Sequence, residues 1–521
     1  MAFIFGFPFF PLDEQLTGTA QNDVIFGFGG DDTLRGRRGD DLLFGGDGDD
    51  VVRGGKGDDA LLGGDGDDRL VGGEGDDFAA GGLGNDRFVG GDGNDVYAGD
   101  EGTDTVTYRN LDTDITLLAS GVIDKGGLGQ DQIFGMERIV GSDTGVNTID
   151  GSDGSGTGAF VVDLSANDLE ITGFPFGSLE FTVVNFQNVV GTQNDDFIKG
   201  DDGDNVIDGN GGHDTLVGTL GNDSLTGADD GFTVDYSDLG EVITLQTAGL
   251  AQKGAVAGFG PDFSGALGTD TLGGFDADPA NFISAKKVIG ATGEANTIDG
   301  TTRSGAVNVS VDLTAGTFEA EVVEVAPNFP AFLTGITFGF EIENFVNVVG
   351  TDNDDVIKGS DEDNVIFGSE GSDVLQAGDS FAPNGFDTLD YSGLDGSVEV
   401  AAAGAFTKRE ADGTLIGVDT VGDFDLAGGQ IEVFEKVIGA DGFANTLNGA
   451  GAFANVDVDL GAGTITATVA PAGFGGFAGG TSFGFEVVNF VNAVGSDLDD
   501  TIVGSDEDNV IFGSEGSDVL Q

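Results

Sequence analysis

The chain has 521 residues, with 93 Asp and Glu against 19 Lys and Arg, for a formal charge of −74. Nucleic-acid binding needs a basic face and anionic membrane surfaces attract basic segments, so both are excluded as ordinary partners. Cys is absent, which removes disulfides and thiolate metal sites; the 96 glycines follow no collagen triplet and are assigned to turns. So acidic a chain would read as disordered. Its apolar residues, 39% of the total, are however periodic, which points to conditional order: loose without a cation, folded with it.

Residues 1–17 form an apolar leader. Its first twelve, MAFIFGFPFFPL, carry no Lys or Arg and are interrupted by Pro8 and Pro11. That is a poor signal peptide and too short to span a bilayer. The leader is expected to cap the open end of the first coil, with a targeting element as the sharper alternative.

From residue 18 to residue 107 a nine-residue unit recurs ten times, as in Gly45-Gly-Asp-Gly-Asp-Asp-Val-Val-Arg53. The sixth position is always aspartate: Asp23, Asp32, Asp41, Asp50, Asp59, Asp68, Asp77, Asp86, Asp95 and Asp104. Two places on comes an apolar residue, from Ile25 and Leu34 through to Val106. The glycines permit a tight turn. The last three residues read as a short strand whose eighth residue faces in while the seventh and ninth face out. A turn that buries one side chain cannot fold alone, whereas stacked turns share a core. Stacking piles the sixth-position carboxylates into a ladder that repels itself unless cations sit between the rungs. Carboxylate and carbonyl oxygens suit Ca²⁺, which takes 6–8 such ligands. The fifth-position acids Asp31, Asp40, Asp49, Asp58, Asp67 and Asp76 give way to Asn or Thr in other copies and are read as solvent-facing charge.

The unit Gly-Gly-x-Gly-x-Asp-x-apolar-x resembles the nonapeptide of the RTX (repeats-in-toxin, hemolysin-type) calcium-binding proteins. The resemblance implies a parallel β-roll in which two nonapeptides make one coil. Calcium would lie between turns n and n+2, held by sixth-position Asp carboxylates and turn carbonyls. It also implies export by type I secretion without a cleaved N-terminal signal.

Beyond residue 107 the chain repeats on a longer scale. Val-Ile-Gly or its like recurs at Gly141, Gly290 and Gly439, followed each time by a strand ending in Asp-Leu and by a Phe-rich segment that includes Phe174 to Phe176, Phe338 to Phe340 and Phe483 to Phe485. Each such β-rich stretch leads into a short nonapeptide block, with sixth-position Asp196, Asp214 and Asp223, then Asp355 and Asp373, then Asp500 and Asp518. Asn205, Asn364 and Asn509 interrupt these aspartates and are expected on the opposite edge. Asn147, Asn296 and Asn445 occupy sixth-type positions in the longer stretches; a neutral amide is a weaker cation ligand, so those turns are expected to stack without calcium. Residues Gly359–Gln376 recur letter for letter at Gly504–Gln521, so the chain is expected to stop within a module, and no C-terminal secretion signal is visible.

The fold expected is therefore all-β: parallel β-roll or β-solenoid blocks alternating with β-rich inserts in an elongated chain. The boundaries are 1–17 leader, 18–107 long block, 108–190 insert, 191–227 short block, 228–349 insert, 350–376 short block, 377–494 insert and 495–521 short block. The sixth-position aspartates named above are the candidate metal ligands, for roughly 12 calcium ions in all.

No catalytic constellation accompanies them. Gly480-Thr481-Ser482-Phe-Gly484 has the form G-x-S-x-G, but the sibling stretch reads Gly335-Ile-Thr-Phe-Gly339, and the one histidine, His213, is an ordinary turn residue. Arg38-Gly39-Asp40 falls on third to fifth repeat positions and is read as coincidence with an integrin tripeptide. The reading is a secreted or cell-surface protein, not an enzyme, that folds on binding calcium outside the cell. Its role would be adhesive, matrix-like or in a surface layer, with a cell-surface or matrix partner or self-association. The alternative is the folding-and-secretion portion of a larger exported enzyme or toxin. The repeats begin at residue 18, which weighs against an effector upstream.

Overall fold

The structure, a computed structural model, describes residues 1–7, 12–154, 158–175, 177–228, 231–246, 249–254, 267–272, 285–301, 307–323, 335, 337–378, 386–401, 404–422, 434–452, 454–469, 480 and 482–521. Pro8, Pro11, Phe176 and Thr481 lie outside the described residues. The described chain is built of short strands, with a 3-10 turn at Gly126–Leu128. It divides into two compact units, Met1–Val234 and Asp235–Gln521.

In the first unit the strands of the long block are laid alternately in two sheets. Val24–Gly29 pairs in parallel with Leu42–Asp47, and Thr33–Arg38 with Val51–Lys56. Partners are 18 residues apart, so two nonapeptides complete one coil, as the resemblance implied. The eighth-position side chains Ile25, Leu34, Leu43, Val52, Leu61 and Leu70 are all buried between the sheets. One buried Leu is worth about 1.5–3 kcal/mol. Ordering nine residues costs roughly 1–2 kcal/mol each. A lone turn therefore has no prospect of folding, and the ladder of coils is the stable unit.

The second and fourth glycines of the unit hold φ angles open only to glycine, 129° at Gly46 and 126° at Gly48. Phe28 and Arg37 occupy second positions at φ 80° and 93° and carry the strain of a side chain there. The leader adds a strand to the first coil: Phe3–Phe5 pairs in parallel with Val24 to Phe26, and Phe5, Phe26 and Phe44 stack with ring centroids 5.5 and 4.6 Å apart.

The expected β-rich inserts continue the coils. Arg138–Val140 takes its place on Thr105–Thr107, and Thr148–Asp150 on Thr116–Leu118. The extra residues leave as antiparallel excursions, for example Thr116–Leu118, Val122–Asp124 and Gln130–Phe134. The second unit repeats this plan. Ser397–Ala401, Ala405–Arg409 and Leu415–Val421 form the same antiparallel meander, and Val374–Gln376 stacks in parallel on Val356–Lys358.

Candidate metal centre

Each sixth-position aspartate of the long block is buried at the turn between two strands. Its Oδ1 accepts a hydrogen bond from the backbone N–H of the rung one coil before. Asp50 N–H reaches Asp68 Oδ1 at 2.8 Å, Asp68 N–H reaches Asp86 Oδ1 at 2.8 Å, and Asp41 N–H reaches Asp59 Oδ1 at 2.7 Å. The result is two ladders. One climbs Asp23, Asp41, Asp59, Asp77 and Asp95; the other climbs Asp32, Asp50, Asp68, Asp86 and Asp104.

The second carboxylate oxygen separates the rungs. At Asp32, Asp41, Asp50, Asp59, Asp68, Asp77, Asp86 and Asp104, Oδ2 is buried with no hydrogen-bond donor. It turns back over the first glycine of its own turn, beside a carbonyl of the next coil. A Cβ on Gly63 would lie 2.1 Å from Asp68 Oδ2 and 2.7 Å from the Gly81 carbonyl oxygen; one on Gly45 would lie 2.3 Å from Asp50 Oδ2 and 2.6 Å from the Gly63 carbonyl oxygen. The first glycine is thus required by space rather than by φ. A buried anion without a donor is costly, and carboxylate and carbonyl oxygens converging on a small space are the donor set of a hard cation. Among the described residues no three Asp, Glu, His or Cys side chains cluster as a metal site. An ion here would be held by two carboxylates plus carbonyls. Gaps with an open oxygen on both sides are Asp32/Asp50, Asp50/Asp68, Asp68/Asp86, Asp86/Asp104, Asp41/Asp59 and Asp59/Asp77.

Burial is the main force on the acidity of these groups, and neighbouring rungs add to it, against the pull of the backbone N–H donors. Asp50 and Asp59 are pushed up to about 7, Asp68 and Asp77 to about 8, and Asp86 to about 6. Protons therefore compete with a cation for these oxygens.

The first rung of each block is closed differently. Thr19 donates its backbone N–H and its hydroxyl to Asp23 Oδ2, at 2.6 and 2.8 Å. Thr192, Thr351 and Ser496 close Asp196, Asp355 and Asp500 in a similar way, each donating its backbone N–H to Oδ2 at 2.5–2.6 Å and its hydroxyl to Oδ1 at 2.8–2.9 Å. These four carboxylates are satisfied within their own turns, a distinction carried by a hydroxyl residue at the second position that the sixth-position pattern passed over. Further along, Asp214, Asp373 and Asp518 accept the backbone N–H of Asp196, Asp355 and Asp500 at 3.0, 3.0 and 3.1 Å, and Asp223 accepts that of Asn205 at 3.0 Å.

The asparagines replace the ion with their own amide. Asn147 Nδ2 donates to the carbonyls of Ser142 and Asn185 at 2.8 and 2.5 Å, while its Oδ1 accepts the N–H of Ile115 at 3.2 Å. Asn296 and Asn445 repeat this, donating to Asn344 and Asn489 carbonyls at 2.6 and 2.7 Å. A neutral side chain that holds carbonyls itself gives the physical ground for the expectation that these turns stack without calcium.

Other ladder members lay outside the sequence pattern. Glu14 N–H donates to Asp32 Oδ1 at 2.7 Å, Asp104 N–H to Glu137 Oε2 at 2.8 Å, and Asp387 N–H to Glu435 Oε2 at 2.8 Å. The exposed fifth-position acids form an outer ladder of opposite sense: Asp49 N–H donates to Asp31 Oδ1 at 3.0 Å and Asp67 N–H to Asp49 Oδ1 at 2.8 Å.

The RTX calcium-binding nonapeptide repeat, in its four-copy form, matches residues 11–43, 35–70, 44–79, 71–106, 190–225, 349–380 and 494–521. No curated protein matches the chain. Among solved structures, the extracellular lipase LipA from Serratia marcescens is 14% identical with a TM-score of 0.10; the match covers 57% of this chain and 40% of that one. The chain spans well under half of that structure's length, and a likeness at that TM-score carries no argument. No helix among the described residues is long and apolar enough to cross a membrane. The matched blocks, with their paired ladders of buried aspartates, are RTX calcium-binding nonapeptide repeats.

Proposed function

We propose that the protein is exported unfolded, orders itself around calcium outside the cell and serves there as an adhesive, matrix or surface-layer component. The observation that carries the first part is the set of buried Asp Oδ2 atoms without donors in the long block. Extracellular calcium modules bind at about 10⁻⁴–10⁻³ M. At ten times Kd each site adds about 1.4 kcal/mol. The six gaps of the long block would then add about 8 kcal/mol, comparable with the stability of a whole domain. At cytosolic calcium that contribution vanishes.

The structural role is supported by tandem repetition and by the character of a cavity in the first unit. It measures about 420 Å³, and of its lining residues only Glu137 and Glu180 are ionisable. His213 is exposed and its backbone N–H bonds Asp195 Oδ1 at 2.8 Å, the ordinary contact of a fifth-position residue. We read the chain as non-catalytic on these grounds. Circular dichroism of the full chain in EGTA against millimolar calcium tests the folding step: a strand spectrum that appears only with calcium is expected, and identical spectra would sink it. Cell fractionation before and after a chelator wash tests the location; protein that never associates with the surface removes the adhesive role.

A further inference from the structure

Two rungs of the ladders have their second oxygen bound by an ammonium. Asp95 and Asp373 each meet a lysine from a distant strand, and both lysines are wholly buried. Lys125 Nζ donates to the Gly91 carbonyl at 2.9 Å, to Asp95 Oδ2 at 3.2 Å and to Asp131 Oδ1. Lys408 Nζ donates to the Ser369 carbonyl at 2.6 Å, to Asp373 Oδ2 at 3.0 Å and to Asp419 Oδ1. An ammonium has three donors, and in both places all three are used on oxygens.

Those oxygens are ladder oxygens. Asp95 N–H donates to Asp131 Oδ1 at 3.0 Å, as Asp77 N–H donates to Asp95 Oδ1 at 2.9 Å. Asp131 is therefore the next rung, reached after 36 residues instead of 18. Asp373 N–H donates to Asp419 Oδ1 at 3.0 Å in the same way. Gly91 and Ser369 are both second-position residues of the nonapeptides that end in those rungs. We propose that Lys125 and Lys408, with Lys253 as a third case, are internal cations. The ammonium groups of Lys125 and Lys408 stand where calcium would lie between Asp95 and Asp131 and between Asp373 and Asp419, so those gaps are closed without calcium.

The supporting geometry recurs three times. Lys125, Lys253 and Lys408 lie on or just after the middle strand of an antiparallel meander, each opposite a glycine in the motif Gly-x-Asp: Gly129 to Asp131, Gly268 to Asp270 and Gly417 to Asp419. The glycine lets the meander close down on the ladder. A Cβ on Gly417 would lie 1.5 Å from the Gly371 carbonyl oxygen and 3.3 Å from Lys408 Cε; one on Gly129 would lie 2.2 Å from the Gly93 carbonyl oxygen. Lys253 is wholly buried against Asp270. A tyrosine hydroxyl completes each site: Tyr108, Tyr236 and Tyr391 donate to the Oδ2 atoms of Asp131, Asp270 and Asp419 at 2.9, 2.7 and 2.6 Å. The fourth tyrosine, Tyr97, donates to Asp95 Oδ2 at 2.9 Å.

One lysine carries a single charge where calcium carries two, and the hydroxyl donors offset part of the difference. A tethered cation also cannot be chelated. The lysine-closed gaps are the ones that stay closed when calcium is scarce.

This assignment rests on the reading of the other rungs as calcium sites, and the test keeps the two apart. The chain has four tyrosines and no tryptophan, and all four tyrosines point at lysine-closed or adjacent rungs. Terbium luminescence excited through tyrosine therefore reports on these gaps. In the full chain, Lys125→Ala and Lys408→Ala should each raise that emission at least twofold at saturating terbium. Each should also bind one calcium more than the parent by equilibrium dialysis. Lys408→Met, which fills the space without a charge, should gain neither. An alanine variant that folds with the parental ion count and emission overturns the proposal. So does one that stays unfolded at every cation concentration, since an ion then fails to replace the ammonium. A parent chain that binds no terbium or calcium at all refutes the calcium ladder instead.

Discussion

The long block and the short blocks use one nonapeptide and close it in different ways. Between Asp32 and Asp104 the second position is mostly glycine at positive φ, and the carboxylate is left with an open, buried oxygen. At Asp196, Asp355 and Asp500 the second position is Thr or Ser; its backbone N–H takes that oxygen and its hydroxyl donates to the other. The sixth residue decides that there is a rung. At these first rungs the second residue supplies the donor that closes it within the turn. Calcium dependence should therefore be concentrated in residues 18–107, and the starts of the short blocks should hold together by hydrogen bonds alone.

The sharpest way to break this contrast is in the middle of the long block. Asp68→Asn with Asp86→Asn touches the gaps Asp50/Asp68, Asp68/Asp86 and Asp86/Asp104 at once. At ten times Kd, about 4 kcal/mol of calcium-linked stability should disappear. The measure is the calcium dependence of the denaturation midpoint; a dependence equal to that of the parent chain would refute pairing of rungs one coil apart. Leu61→Ala attacks the same coils through the core. It should cost about 2–5 kcal/mol at every calcium concentration and leave the ion count unchanged, which separates packing from ligation.

Proton competition is the next effect in size. In the cation-free long block, Asp50, Asp59, Asp68 and Asp77 have pKa values raised by burial to about 7–8, above the unfolded value near 4. Folded chain then binds more protons than unfolded chain between those limits. Its stability is fullest below about pH 4 and is lost as pH rises through about 8. In EGTA the block should lose order steadily as pH rises from about 4 toward 8, while calcium affinity rises over the same range as protons are displaced. Chelated protein whose order increases with pH would contradict the raised pKa values. The smallest effect is expected at the caps: Thr351→Ala removes one hydroxyl from Asp355 and should cost about 1 kcal/mol. Calcium titration should return the parental ion count, and a changed count would place Asp355 among the open rungs.

Much of this was legible in the residues alone. A period of nine with an apolar eighth position names the inward side chain, because neighbours in a strand alternate faces; Leu43, Leu61 and Ile198 lie where that rule puts them. The invariant Asp names the rungs, and the Asn substitutions name turns that hold their neighbours through an amide. The Thr and Ser caps were equally within reach, since donor and acceptor stand four residues apart in one turn.

What no local pattern could supply is the partner that arrives from elsewhere. Lys125 reaches Asp95 across 30 residues and Lys408 reaches Asp373 across 35, through meanders whose register puts a lysine opposite a glycine. Glu137 and Asp131 become rungs because an antiparallel excursion returns the chain to the ladder after a spacing the nonapeptide does not have. The sequence by itself determined the coil, its inner face and the positions of the carboxylates, all consequences of spacing within nine residues. Only the tertiary structure decided which carboxylates remain open, because the satisfaction of a buried charge depends on every donor the fold brings to it, near or far in the chain.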